Sequence, residues 1–207
     1  MLLANNLSFE RNSKIVFQNV NLSLPPKTII QVTGRNGSGK TTLLKLLSSV
    51  LFPSDGQIFW EGKNVKNNSE NLHKNLTFIM DKNTSKKDLT LIENINFWKN
   101  IFHSKKTNDE IIRILNLLRL NEYKKILVKF MSFGEIRKLE LCRLILENKL
   151  LWILDEPYLG LDKTTCEIIN ETFINHSKKG GMVIFSSHIK VEIQNKNELN
   201  LDEYEHI

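Results

Sequence analysis

Short runs of aliphatic and β-branched residues alternate along this chain with longer stretches in which leucine and isoleucine recur every three or four positions. The short runs predict buried strands at residues 27–33 (KTIIQVT), 57–60 (QIFW), 76–80 (LTFIM), 150–154 (LLWIL) and 181–187 (GMVIFSS), and the opening MLLANNLSF is strand-like too. Residues 27–33 are the most sharply bounded, by Pro25 and Pro26 before and Gly34 after. Leucines at 43, 44, 46, 47 and 51 predict a helix over 40–51. From 83 to 145 the patterns are helical (IENINFWKNIF, NDEIIRILNLL, EIRKLELCRLIL) and no strand is predicted, so a helical insert is expected there. Alternation of strand and helix elsewhere predicts α/β layers around a largely parallel sheet. The chain reads as a single domain over 1–207: a core at about 1–82 and 146–190, a helical subdomain at about 83–145, and a polar tail at 191–207. The end of that tail, QNKNELNLDEYEHI, is expected to be frayed.

Composition narrows the classes. With 207 residues, 41% of them apolar, the chain can bury one core. The formal charge of +6 would suit nucleic acid or an anionic membrane surface. The lysines are dispersed among asparagines, however, as on a solvated surface, and no nucleic-acid partner is expected. The only cysteines, Cys142 and Cys166, have neither zinc-ligand spacing nor a disulfide framework, which suits a reducing compartment. No apolar run reaches the roughly 18 residues a membrane span needs, and no leader pattern opens the chain, so it is expected to stay where it is made.

The densest chemistry lies in GRNGSGKTT, residues 34–42. Gly34, Gly39, Lys40 and Thr41 satisfy the spacing G-x-x-x-x-G-K-[ST], with Gly37 as an extra glycine, between a predicted strand and a predicted helix. Glycines let the backbone N–H groups of this loop, through Arg35, Asn36, Ser38 and Thr42, curl around phosphates, and the helix N-terminus adds partial positive charge. Lys40 would reach the β and γ phosphates, and the Thr41 hydroxyl would face Mg²⁺. In LLWILDEP (150–157) an apolar strand ends in two acids: Asp155 is placed to hold Mg²⁺, while Glu156, pointing elsewhere, is a candidate general base. In FSSHI (185–189), His188 follows another apolar strand; a lone histidine is most often ordinary, but after the last strand of a phosphate-loop domain it suits a γ-phosphate contact. In FMSFGEIRKLELCRLIL, from residue 130, Ser132 and Glu135 form an S-x-x-E capping box. Ser132 and Gly134 at a helix N-terminus are also what a second phosphate site needs, and the two roles are compatible.

Together these residues resemble the ABC ATPase family over nearly the whole chain. GRNGSGKTT resembles its Walker A loop, LLWILDEP its Walker B strand and adjoining glutamate, LGLD (159–162) its D-loop, His188 its switch histidine, and MSFGE stands at its LSGGQ signature. The resemblance implies a P-loop NTPase fold of ABC type, with a mainly parallel central sheet, an antiparallel β edge and a helical subdomain. It implies Mg-ATP hydrolysis with Lys40, Glu156 and His188 as catalytic residues and Thr41 and Asp155 at the metal. It also implies a homodimer, each ATP lying between the Walker A loop of one copy and the Ser132/Gly134 helix end of the other. Within the family, NGSGKTTLLKLL, GQIFWEGK, LTLIENINFW, LWILDEP and KGGMVIFSSH resemble, in order, segments of the ATP-binding subunits of the cytochrome c maturation, or haem-exporter, system. That subgroup implies a multi-span membrane permease and haem-handling maturation proteins as partners. It implies the inner face of an energy-transducing membrane, cytoplasmic in a bacterium or matrix in a mitochondrion. Arg11 stands where the family carries an adenine-stacking aromatic, and Phe9 is a nearby alternative.

Three departures keep other readings open. Phe133 and Glu135 replace a glycine and the glutamine of LSGGQ, and no glutamine lies between Gln57 and Gln194, so the Q-loop glutamine is missing, with Asp81 or Lys82 near its place. A low-turnover nucleotide-binding clamp, or the ATPase of a different ABC exporter, therefore stand beside the haem-exporter reading.

Overall fold

The computed structural model describes residues 1–204. Among these described residues two sheets and six α-helices form in the order β1 (Leu2–Arg11), β2 (Lys14–Leu24), β3 (Ile29–Thr33), α1 (Lys40–Leu47), β4 (Asp55–Trp60), β5 (Lys63–Asn64), α2 (Val65–Asn75), β6 (Leu76–Ile79), α3 (Leu91–Ile101), α4 (Asn108–Leu117), α5 (Phe133–Glu147), β7 (Leu151–Leu154), α6 (Lys163–Lys178), β8 (Met182–Ser186) and β9 (Asn197–Asn200). The antiparallel sheet has the order β2-β1-β4-β5, and the other sheet the order β6-β7-β8-β3-β9, with every pairing parallel.

Period-2 alternation explains why the parallel sheet sits in the middle. Ile30, Val32, Leu151, Ile153, Met182 and Ile184 face a core shared with β1, β2 and the leucines of α1. Their chain neighbours Ile29, Trp152, Leu154, Val183 and Phe185 face a second core with α3, α4, α5 and α6. Both faces are covered, so strands β7 and β8 are buried at every position and read as continuous apolar runs. Parallel pairing brings the carboxyl ends of β3, β6, β7, β8 and β9 to one edge, the usual ligand edge of an open α/β sheet.

The sequence pattern and the structure part company in three places. Helix α1 stops at Leu47, short of the expected residue 51, because the chain turns at Ser48 and takes positive φ at Ser49 before Pro53. Strand β2 is not among the predicted strands: six of its eleven residues are apolar, but the inward set Phe17, Val20, Leu22 and Leu24 breaks the period of two between 17 and 20, where the pairing with β1 shifts register. The expected frayed tail is instead an edge strand. Residues 197–200 pair in parallel with β3, and Leu201 behind them is fully buried. A polar strand is stable there because β3 supplies its ladder and one face remains wet. Residues 205–207 of that tail lie outside the described residues.

Candidate active site

The loop between β3 and α1 takes its shape from its glycines. Gly34, Gly37 and Gly39 have φ of 137°, 90° and 95°, where a side chain would be strained. At Gly39 a Cβ would also lie 2.6 Å from Val16 Cγ1, so β2 presses directly on the loop. Lys40, the first residue of α1, is 8% exposed, and its Nζ donates to the carbonyls of Gly34 at 2.7 Å and Arg35 at 3.0 Å. Next to it, Thr41 Oγ1 donates to Asp155 Oδ2 at 2.7 Å.

Asp155 follows β7 and is almost fully buried. Its second oxygen accepts from Ser186 Oγ at 2.6 Å, and Ser186 Oγ in turn accepts from the Glu156 backbone N–H at 2.9 Å. Glu156 has φ of 48°, a left-handed kink that turns its side chain away from that of Asp155. Its Oε1 meets His188 Nδ1 at 2.8 Å. Burial pushes the Glu156 carboxyl above the usual carboxylate range; His188 works against that push and the Asp155 charge adds to it. The two adjoining acids are therefore separated in role by environment: one bonded to two hydroxyls, the other desolvated beside a histidine.

A cleft of about 830 Å³ joins these groups. Of the residues expected to bind nucleotide or act on it, Arg11, Arg35, Asn36, Gly37, Gly39, Lys40, Thr41, Thr42, Glu156 and His188 line it, Arg11 together with Lys14 and Ile15 from the first two strands. Ser38 and Asp155 are buried, Asp155 held through Thr41, while Gly34 lies with Arg35 and Asn36 on the rim of a neighbouring pocket. Phe9 is not among the cleft residues; it packs on Phe17, ring centroids 6.5 Å apart. Ser132 and Gly134 stand outside the cleft as well. Ser132 caps α5, its Oγ accepting the Glu135 N–H at 3.3 Å while Glu135 Oε2 accepts the Ser132 N–H at 2.7 Å. Gly134 lies so close to the Gly160 carbonyl that a Cβ would sit 2.5 Å from it.

Several supporting residues escaped the sequence reading. Arg137, fully buried, donates to the carbonyls of Met80 at 2.7 Å and Glu156 at 2.9 Å and also to that of Asp155, binding α5 to the ends of β6 and β7. Glu140 accepts the backbone N–H groups of Thr84 and Ser85, both at 2.6 Å, holding the loop that contains Asp81 and Lys82. Arg143 and Glu147 continue the row, with Nε to Oε1 at 2.7 Å. Charges at 137, 140, 143 and 147 share one face of a helix, and that periodicity was the available signal. No pattern marks Ser186 or Asp202; the latter accepts the Arg35 backbone N–H at 3.0 Å.

Among the described residues no three His, Cys, Asp or Glu side chains converge as a metal cage. The Thr41 hydroxyl and Asp155 carboxylate do fit Mg²⁺, which is ordinarily held by one or two protein oxygens together with substrate phosphates and water.

The ABC transporter family profile matches residues 17–159. A "Cytochrome c biogenesis ATP-binding export protein CcmA" of Reclinomonas americana is 37% identical over 206 residues, covering 97% of this chain and 90% of its own. The protein of the same name from Vibrio vulnificus (strain YJ016) is 33% identical over 188 residues, covering 91% and 92%. In structure, a putative ABC transporter ATP-binding protein from Pyrococcus furiosus superimposes with a TM-score of 0.86 at 24% identity, covering 99% of each chain, a likeness of fold.

Proposed function

This chain belongs to the ABC transporter family, and from that premise we propose that it is the ATP-binding and ATP-hydrolysing subunit of a membrane export complex serving cytochrome c biogenesis. The observation that carries the catalytic part is the meeting, in one cleft, of Lys40, of Thr41 with the buried Asp155 bonded behind it, and of the Glu156–His188 pair. The haem-export part is supported by the names of relatives that match the chain almost end to end.

In this reading Lys40 and the loop N–H groups hold the phosphates, and Arg11 stacks on the base. Thr41 and Asp155 would hold Mg²⁺, which would supply charge neutralisation for the phosphates. Glu156 takes a proton from the attacking water as its oxygen bonds to the γ phosphorus and the bond to the ADP oxygen breaks. His188, bonded to Glu156, keeps that carboxylate aimed and senses the γ-phosphate. Ser132 and Gly134, which stand outside the cleft, would act on the nucleotide of a second copy, so that ATP closes a homodimer and hydrolysis opens it. No described helix is long and apolar enough to cross a membrane. In this proposal the force is delivered to a multi-span permease, on the cytoplasmic face of a bacterial inner membrane or the matrix face of a mitochondrial one.

Gentle solubilisation of the native membrane and capture of the tagged chain is the test. A multi-span subunit and haem-handling proteins are expected in the eluate. An unrelated permease would retain the ATPase and discard the haem reading.

A second reading, a clamp with little turnover, is favoured by the N-terminus of α5. There the Phe133 ring lies over Gly160, and the Glu135 carboxylate occupies the Ser132 N–H. Burial works against the Glu135 charge, but the Ser132 N–H and the Tyr123 hydroxyl hold its pKa below the ordinary value, so it is an anion at neutral pH. An anion there repels an incoming γ-phosphate. Glu135→Gln is expected to raise steady-state turnover on the order of fivefold. Phosphate release assays check this, and an unchanged or lower rate would remove the support for the clamp.

A further inference from the structure

We infer that Asp202 is a positioning residue for nucleotide binding: it orients the Gly34–Arg35 peptide of the phosphate loop and, through that one peptide, the seat of the Lys40 ammonium. The inference rests on the ATP-binding reading above and extends it to a segment that reads as a polar tail in the sequence.

Both ends of that peptide group are engaged. Its carbonyl, that of Gly34, accepts Lys40 Nζ at 2.7 Å. Its N–H, that of Arg35, donates to Asp202 Oδ1 at 3.0 Å and Oδ2 at 3.2 Å. Carboxylate, peptide and ammonium thus form a chain in which each hydrogen bond polarises the next. The peptide needs such anchoring because Gly34, at φ of 137°, is in a region open to glycine, where rotation of the plane meets little steric resistance. A flipped peptide would aim its carbonyl at the carboxylate and leave Lys40 without one of its two acceptors. Asp202 does not line the cleft. It therefore steadies the loop from behind, without competing for the amides that face the phosphates.

The fold delivers the carboxylate to this point by several independent contacts. Strand β9 runs parallel to β3 with Thr33 opposite Asn200, and Thr33 Oγ1 donates to Glu198 Oε1 at 3.0 Å. Asn200 Oδ1 accepts the Asp202 N–H at 3.2 Å, shaping the turn. Leu201 is fully buried in the core shared with α1, which fixes the height of its neighbour against the loop. At Gly34 a Cβ would come 3.1 Å from Asp202 Oδ1 and 2.6 Å from Ser38 Oγ, so the approach of the carboxylate adds to the demand for glycine there.

The test compares wild type, Asp202→Asn and Asp202→Ala in the full chain, with KM and kcat for MgATP, ATP affinity by calorimetry, and melting temperature. Asn keeps an acceptor oxygen but loses the charge, and Ala loses both. A KM rise of about tenfold for Ala and about threefold for Asn is expected, at unchanged kcat and with the Asn variant melting as wild type does. KM within twofold of wild type for both variants would overturn the assignment. So would losses of kcat and KM that track a fall in melting temperature without rescue by Asn. If the Ala variant does not fold, the Asn variant decides alone, an unchanged KM counting against the proposal. Wild-type protein that fails to bind ATP would instead overturn the nucleotide reading, a distinguishable result.

Discussion

Replacement of Glu156 by glutamine is expected to lower ATP turnover by about 10²- to 10⁴-fold while leaving ATP binding intact. Glutamine keeps the size of the side chain and a hydrogen bond for His188, whose Nδ1 lies 2.8 Å from the carboxylate, but it cannot accept a proton. The P-loop, Lys40 and the Thr41–Asp155 pair are untouched, so ATP is held without being consumed, and the variant is expected to accumulate as a dimer in MgATP. Single-turnover phosphate release and gel filtration read the two halves of this expectation. Residual turnover above a few per cent of wild type would show that Glu156 is not the base. The same residue sets a pH dependence. Burial raises the pKa of its carboxyl, and only the deprotonated form acts, so kcat falls as pH drops through a value above the ordinary carboxylate range. A kcat flat down to pH about 4, the unperturbed range for glutamate, would contradict that environment.

Lys40→Ala is expected to act one step earlier, weakening ATP binding by about 100-fold. The lysine sits at the N-terminus of α1, 8% exposed, with its ammonium already drawn over the loop by two carbonyls. A charged donor in that position, added to the helix dipole, supplies the strongest single attraction for a triphosphate. Its removal should spare the fold, because the Arg35 end of the loop is solvent-exposed and water can satisfy its carbonyl. Calorimetric titration with ATP, alongside a melting curve, separates the two effects. Affinity within threefold of wild type would refute the role given to Lys40. Paired with Glu156→Gln, this variant distinguishes loss of binding from loss of chemistry.

Local pattern alone established a good deal about this protein. Glycine spacing ahead of a leucine-periodic helix marks the phosphate loop, because only glycines tolerate the φ values found at 34, 37 and 39. Strands β3 and β6 were legible as short aliphatic and β-branched runs despite Gln31 and Thr77 within them, and β7 and β8 because burial on both faces requires nearly unbroken apolar runs. Asp155 and Glu156 were legible because they end such a run.

Tertiary structure decided what depends on a partner distant along the chain. β2 and β9 are strands by virtue of the neighbours that supply their ladders: β9 is polar but for Leu199, and the inward positions of β2 break the period of two between Phe17 and Val20. Ser186 matters only because parallel pairing sets β7 beside β8 and puts its hydroxyl between Asp155 and the Glu156 amide. Arg137 could be read as a charge on an amphipathic helix; its function as a buried clamp on three carbonyls exists only once α5 lies against the ends of β6 and β7. Asp202 is the extreme case: 167 residues separate it from the amide it holds. Hydrogen bonds and desolvation act through space at about 3 Å, whereas sequence periodicity reports only on residues within a turn or two of one another.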